Sequence, residues 1–167
     1  MPAAPSAPAE PLFAELQGFV RPWWWLVLVV GAVPVGMAFV SVRHHPLLLA
    51  PRLLLLGVPA MLAALFAWLR LDTRLDAAGV SYRMRPLGWR RLAWPEVRQA
   101  YVREYSPIAE YGGWGIKGIS FKNYAFNVAG NQGLQLELAD GRRILLGTQR
   151  PDELRQALEN LRVNQPI

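Results

Sequence analysis

Four arginines and one tryptophan crowd the nine-residue stretch RMRPLGWRR. They are Arg83, Arg85, Trp89, Arg90 and Arg91. Guanidinium groups bind carboxylates and phosphates, and each positive charge held near an anionic lipid surface contributes on the order of 1 kcal/mol. This stretch is therefore the candidate contact site, for anionic lipid headgroups or for a protein partner. Another interpretation stays open, in which strand alternation alone points these arginines outward.

A second motif, Gly113 to Gly118 (GWGIKG), matches the G-x-G-x-x-G pattern of dinucleotide-binding loops. Such a loop must lie between a buried strand and a helix, whereas residues 119–128 alternate as a strand does. We therefore expect a loop between strands and no bound cofactor. A Walker phosphate loop is excluded because Lys117 is followed by glycine.

The residue types needed for catalysis or metal binding are scarce. His44 and His45 are the only histidines, there is no cysteine, and no acidic residue lies near the histidine pair. A Ser-His-Asp triad cannot form in a segment that lacks histidine. We predict no enzyme, no metal or cofactor site and no small-molecule substrate. Nucleic-acid binding is not expected either, because basic and acidic residues alternate without a recognition motif.

Charge is distributed unevenly along the 167 residues. Between Leu16 and Arg70 there is no acidic residue and just three arginines, while the part from Arg70 onward carries 15 of the 18 basic and 10 of the 12 acidic residues. Two physically different segments therefore meet near Arg70.

Two uncharged runs, residues 23–42 and 53–69, precede Arg70. The first would extend roughly 30 Å as a helix, the thickness of a bilayer core. The second reaches back to residue 47 if Arg52 extends into the headgroups. We predict a transmembrane hairpin over residues 22–69, with spans at about 23–42 and 47–69. A cleaved signal peptide and a pair of buried core helices are the alternatives.

The hairpin prediction also sets the location. Tryptophans at residues 23–25 and 68 would lie at one membrane interface, and arginines beside the outer ends of the spans outnumber those of the connecting turn. Both features favour termini inside. We therefore expect a multi-pass protein of the bacterial inner membrane whose remaining domain is cytoplasmic. Residues 1–21 would form a flexible or interfacial N-terminal segment, since residues 2–9 are small and Pro-rich.

From Arg70 onward, apolar and polar residues alternate with the period of β-strands. The alternating segments are residues 71–76, 80–84, 90–94, 98–105, 124–128, 134–138 and 142–146. Asp140-Gly141 predicts a tight turn that joins the last two segments as a hairpin. Pro151 and the following apolar stripe predict a C-terminal helix over residues 151–162. Residues 70–167 thus predict an α+β domain, a small barrel or sandwich of strands capped by one helix.

Five stretches resemble the bacterial pleckstrin-homology-like (bPH) domains found in two-span membrane proteins. They are LDAAGVSY (75–82), LAWPEV (92–97), EYGGWGI (110–116), FNVAGNQGLQLEL (126–138) and GRRILLGTQRPDEL (141–154). The resemblance implies a PH-like split β-barrel of six to seven antiparallel strands with a C-terminal helix over one open end. It implies no reaction.

These observations predict a non-catalytic, membrane-anchored interaction module that engages a protein partner or its own copies. Small residues at helical spacing, such as Ala32 and Gly36, would support a homo-oligomer. The alternative is peripheral sensing of anionic lipid headgroups through residues 83–91.

Overall fold

A computed structural model of the chain describes residues 11–19, 24–25, 29, 31–37, 39–40, 49–120 and 122–164. The chain divides into two compact units. The first comprises Met1–Gln17 together with Arg70–Ile167, and the second is Gly18–Leu69. An N-terminal segment and the part of the chain from Arg70 onward therefore share one folding unit.

The described residues include nine strands and three α-helices with defined bounds. They also include one 3-10 turn, Trp94–Glu96. The strands are β1 (Phe13–Gly18), β2 (Arg70–Asp76), β3 (Gly79–Met84), β4 (Arg90–Ala93), β5 (Val97–Glu104), β6 (Gly115–Ser120), β7 (Asn123–Asn127), β8 (Gln132–Leu138) and β9 (Arg143–Gly147). The helices are α1 (Leu49–Trp68), α2 (Pro107–Tyr111) and α3 (Pro151–Asn164). The described residues between 31 and 40 are also helical.

The first sheet has four strands in the order β1-β2-β3-β4. β2 and β3 are antiparallel, with Leu71 opposite Met84 and Asp72 opposite Arg83. Because side chains alternate between the faces of a strand, one face presents buried apolar residues to the core and the other carries charged side chains. That charged face holds most of the candidate site.

The second sheet has five strands in the order β5-β8-β9-β7-β6. β8 and β9 form the hairpin predicted from Asp140-Gly141, and Gly141 has a φ of +83°, a conformation that glycine adopts at little cost. β7 and β9 are parallel, with Ala125 opposite Leu145. β8, which lies between β7 and β9 in sequence, pairs antiparallel with the other side of β9.

The core draws on both sheets and on α3. Leu75 and Val80 of the first sheet, and Leu136 and Leu145 of the second, are fully buried. The apolar stripe of α3 is buried as well, and α3 contacts β5 and β8. Burial of each such leucine or valine side chain stabilises the fold by about 1.5–3 kcal/mol.

The predicted barrel architecture is wrong, although the chain is α+β and ends in a helix. Six to seven antiparallel strands were expected, whereas the described residues form two sheets of four and five strands that include a parallel pair. The sequence pattern missed β1, which lies far along the chain from its neighbour β2, and β6, whose glycines interrupt the alternation.

The predicted transmembrane hairpin is also contradicted. Within the part of the chain that the structure describes, no helix combines the length and the apolar character needed to cross a bilayer. This overturns the spans at 23–42 and 47–69 and the inner-membrane location based on them. The prediction rested on the count of uncharged residues, whereas crossing requires a helix that is both long and apolar along its length, and α1 includes Arg52 and Pro59. The predicted turn with His44 and His45 lies outside the described residues.

The N-terminal segment differs from its prediction too. Residues 1–21 were expected to be flexible or interfacial, but Phe13–Gly18 forms β1, and residues 1–10 lie outside the described part. Glu15 is buried, and its carboxylate oxygens accept hydrogen bonds from the Thr148 hydroxyl at 2.6 Å and from the Gln149 backbone N–H at 2.9 Å. β1 is therefore fastened to the segment that leads into α3.

Candidate functional site

The candidate site lies on the charged face of the first sheet. β2 contributes Asp72, Arg74 and Asp76, which alternate with its buried residues Leu71 and Leu75. Across the sheet, Arg83 of β3 is the register partner of Asp72. Two neighbouring strands thus place opposite charges side by side.

Trp89 lies in the connection between β3 and β4 and remains 42% exposed. Two guanidinium groups contact its indole ring: the Arg74 Cζ atom is 4.8 Å from the ring centroid, and the Arg83 Cζ atom is 4.5 Å from it. A cation over an indole contributes about 0.5–1 kcal/mol at an exposed site. The ring is therefore held in place while part of its surface faces solvent.

Asp72 fixes the arginines. The Arg83 Nε atom donates to Asp72 Oδ2 at 2.5 Å, and the Arg85 Nε atom donates to the same oxygen at 3.3 Å. The Asp72 side chain is 7% exposed, so these charge-assisted bonds form around a carboxylate largely removed from water. We call Asp72, Arg74, Arg83, Arg85 and Trp89 the Trp89 cluster.

The Trp89 cluster carries an excess of positive charge. Three guanidinium groups face one carboxylate, which leaves a net charge of +2 for the ionised groups. Leu87, in the same connection as Trp89, is an exposed large apolar residue. An exposed indole, an exposed leucine and unneutralised guanidinium groups therefore occupy one surface.

The other two predicted contact residues do not join this cluster. Arg91 binds both oxygens of Asp76, at 3.1 and 3.2 Å, near the other end of β2. Arg90 is the register partner of the buried Tyr82, and its Cζ atom lies 5.9 Å from the Phe126 ring centroid. Arg90 is separated from the cluster because successive positions on β4 point to opposite faces, whereas Arg91 shares the charged face but pairs with Asp76 at the far end of β2.

Sequence reasoning missed Asp72 and Arg74. Their signal was present, since both alternate with Leu71, Thr73 and Leu75 and therefore share a face. What the sequence lacked was the register that puts Asp72 opposite Arg83.

A second polar cluster surrounds α2. Arg103 of β5 donates to the Glu110 carboxylate at 2.8 Å and to the Tyr111 hydroxyl at 3.2 Å. The Arg103 hydrogen bond lowers the pKa of Glu110, and burial raises the pKa of Tyr111. These contacts hold α2, a helix of five residues, against β5.

The buried Asn127 completes this region. Its Nδ2 atom donates to the Tyr105 hydroxyl at 3.1 Å, and its Oδ1 atom accepts from the Gly115 N–H at 2.8 Å. Burial raises the pKa of Tyr105, which keeps its hydroxyl protonated and able to donate. Since these groups are engaged with one another, they connect β5, β6 and β7.

The G-x-G-x-x-G motif does not form the predicted loop over its full length, because residues 115–118 belong to strand β6. Gly113 and Gly115 have φ values of +125° and +110°, so the glycines serve the bend that precedes the strand. Dinucleotide-binding loops instead open a helix. Among the residues that the structure describes, no group of three or more His, Cys, Asp or Glu side chains could hold a metal ion.

Comparison with known proteins adds no family: the chain matches no protein-family model and no curated protein. The resemblance to bPH domains therefore stays a prediction.

Proposed function

We propose that the chain is a non-catalytic interaction module that binds an acidic segment of a protein partner through the Trp89 cluster. The observation that carries this proposal is the exposed indole of Trp89, which two guanidinium groups hold at 4.5 and 4.8 Å. Tryptophan and arginine are the residues most enriched among those that dominate binding energy at protein interfaces.

The geometry reduces the cost of binding. Long arginine side chains lose conformational entropy when a partner immobilises them, by about 0.5–1.5 kcal/mol each. Here Asp72 already fixes Arg83 and Arg85, and the indole ring already contacts Arg74. A partner therefore meets side chains that are largely in place.

Charge complementarity selects an acidic partner. The net charge of the cluster is positive, and guanidinium groups donate to carboxylates in a geometry that favours two parallel hydrogen bonds. Trp89 and Leu87 add apolar contact that an isolated anion would not use. An acidic segment with apolar side chains between its carboxylates satisfies both features.

A protein segment fits this surface better than a lipid headgroup layer. Attraction to an anionic lipid surface depends on the number of uncompensated charges close to it. Three of the four arginines first considered for that role, Arg83, Arg85 and Arg91, already bind Asp72 or Asp76. Binding of a single protein segment depends on contacts with a few side chains of the Trp89 cluster, and less on the total charge of the surface.

The test is a binding titration on the full chain. The probe is a labelled synthetic peptide of alternating glutamate and leucine, followed by fluorescence anisotropy, with a lysine-leucine peptide as its charge-reversed counterpart. We expect saturable binding of the acidic peptide alone. Trp89→Ala and Arg74→Glu should each weaken it about tenfold or more, since residues of this kind contribute about 2 kcal/mol when central to an interface.

Arg98→Glu is the matched control, because Arg98 is a 70% exposed arginine on β5, in the other sheet. It should bind the acidic peptide as the unmodified chain does. Flotation with phosphatidylglycerol vesicles is the competing arm. Vesicle binding that requires Trp89, together with no binding of the acidic peptide, would replace the proposal with lipid recognition, and equal losses in Arg98→Glu and Arg74→Glu would overturn it as well.

A further inference from the structure

The unit Gly18–Leu69 presents large apolar side chains to its surroundings. In the portion of α1 whose side chains are described, residues 57–68, no residue is buried. Met61 is 64% exposed, and Val58, Leu65 and Trp68 are exposed as well. A helix at a protein surface normally turns a polar face to water, whereas a helix that is apolar on every side belongs in a covered setting.

The long apolar runs of this unit contain no ionisable side chain. Residues 23–42 and 53–69 contain no Asp, Glu, Lys or Arg. Contiguous exposed apolar patches on proteins that stay monomeric rarely exceed a few hundred Å². A surface of this kind is expected to be covered by something equally free of charge.

The area involved matches what a stable dimer needs. Thirteen large apolar side chains among the described residues of this unit are 36–64% exposed: Trp24, Trp25, Val29, Val33, Val35, Met37, Phe39, Val40, Val58, Met61, Leu62, Leu65 and Trp68. At about half exposure, and on the order of 150 Å² each when fully exposed, they present roughly 1,000 Å². A standard interface buries about 800 Å² on each partner.

The surface contains a groove that side chains of another molecule can enter. A groove of about 440 Å³ is lined by Ala32, Val33, Gly36, Met37 and Val40. A Cβ atom added at Gly36 would meet no heavy atom within 4 Å, so the floor of the groove is open. Protruding side chains of α1, Met61 above all, have the apolar character and length to enter it.

We propose that a second copy of this chain covers the apolar surface, with α1 of each copy seated in the 32–40 groove of the other. The groove and the protruding helix occur on every copy, so a two-fold arrangement fills both grooves at once and leaves no open end. The two surfaces also match in charge, since neither the groove residues nor residues 57–68 of α1 include an Asp, Glu, Lys or Arg.

Disulfide trapping tests this arrangement, because the chain has no cysteine of its own. Full-length Gly36→Cys and Met61→Cys chains are prepared separately, mixed under reducing conditions and then oxidised. A disulfide between the two variants can form only between copies. We expect it to form faster than the disulfide that either variant forms with itself. It should also form at least tenfold faster than a disulfide between Gly36→Cys and Glu159→Cys, because position 159 lies on the exposed face of α3.

Sedimentation of the unmodified full chain and of Gly36→Ile gives a second, independent reading. We expect a dimer for the unmodified chain and a dissociation constant at least tenfold higher for Gly36→Ile, with an unchanged near-ultraviolet circular dichroism spectrum. A monomer at tens of micromolar, a chain recovered only as a monomer with detergent or lipid, or a crosslink rate equal to that of the Glu159→Cys control would each overturn the proposal.

Discussion

At the scale of single residues, Asp72 has the largest consequence for the site. Its buried carboxylate accepts from both Arg83 and Arg85, and hydrogen bonds to a charged group contribute about 1.5–3 kcal/mol. We expect Asp72→Asn to lower the free energy of unfolding by about 2 kcal/mol, because it leaves two partly exposed guanidinium groups without their counter-charge. Urea denaturation at neutral pH measures the change.

Arg98→Gln is the control for this substitution. Arg98 is largely exposed and lies 3.6 Å from Glu137, so its ion pair is well solvated. Exposed pairs contribute about 0–1 kcal/mol, and we expect little change in the unfolding midpoint. Equal effects of the two substitutions would mean that Asp72 does not organise the cluster.

The sequence identified part of this site by residue type alone. Trp89, Arg83 and Arg85 were found because arginines and a tryptophan in one short stretch favour contact with anions. Arg90 and Arg91 were grouped with them because adjacency in sequence was taken as adjacency in space. Asp72 and Arg74 come from another strand, and only the β2–β3 register brings them to Trp89.

At the scale of elements, a buried carboxylate is one of the groups that fasten strand β1. Glu15 accepts from Thr148 and from the Gln149 N–H, which links β1 to the segment before α3. We expect Glu15→Ala to destabilise the first unit by about 2–3 kcal/mol, since both hydrogen bonds are made to a charged group. Hydrogen exchange should show faster exchange of the Gln149 amide.

Leu16→Ala is the matched control for Glu15→Ala, because Leu16 lies next to it on the exposed face of the same strand. It should change stability by less than about 0.5 kcal/mol. If Gln149 keeps its protection in Glu15→Ala, the carboxylate does not hold β1 in place.

Helix α2 should respond to acid through Glu110. The hydrogen bond from Arg103 lowers the pKa of this carboxyl below its ordinary value of 4.5. A carboxyl with a lowered folded-state pKa stabilises the fold above its unfolded-state pKa and loses that contribution as the pH falls through the folded-state value. We expect Glu110→Gln to unfold at lower urea concentration than the unmodified chain at neutral pH.

The difference between Glu110→Gln and the unmodified chain should shrink below pH 4.5, where the unmodified chain also loses the ionised carboxyl. Urea midpoints measured across this range give the comparison. Glu159→Gln, which removes an exposed carboxylate from α3, serves as control and should follow the unmodified chain. A constant difference down to pH 3 would contradict the role of the Arg103–Glu110 contact.

Periodicity predicted the elements whose one face is buried. β2, β3 and β8 alternate clearly, and the Asp140-Gly141 turn predicted the β8–β9 hairpin. The pattern did not predict β6, because Gly115 and Gly118 carry no side chain that would show which face of a strand is buried. The parallel pairing of β7 with β9 could not be read from either strand, since pairing partners are a property of the whole chain.

At the scale of the whole molecule, the first unit should fold without the second. β1 and β2 are neighbours in one sheet although residues 18–69 separate them in sequence. We expect a variant in which a flexible Gly-Ser linker replaces residues 18–69, long enough to span one strand of about 20 Å, to unfold cooperatively in urea. Such a variant should also remain monomeric in sedimentation experiments.

Absence of a cooperative transition in the linker variant would show that the two units depend on each other for folding. A variant that folds and still forms dimers would place the self-association surface outside residues 18–69. Neither result tests binding of an acidic peptide by the Trp89 cluster, because that cluster belongs to the first unit.

The apolar excess of residues 18–69 was evident in the sequence, but its structural meaning was predicted wrongly. Uncharged runs of 17 and 20 residues indicated membrane spans. The described helices do not meet the requirement for crossing a bilayer. Composition locates an apolar segment, but it does not determine what covers that segment.

The most direct test of the proposed function is photo-crosslinking in living cells from position 89. A photoreactive phenylalanine analogue replaces Trp89 in one full-length variant and the exposed Ile108 in another. The proposal predicts a protein crosslink from position 89 alone, attached to an acidic segment of the captured protein and lost when Arg74→Glu is added. Equal crosslinks from both positions, or a position-89 crosslink that persists with Arg74→Glu, would contradict it.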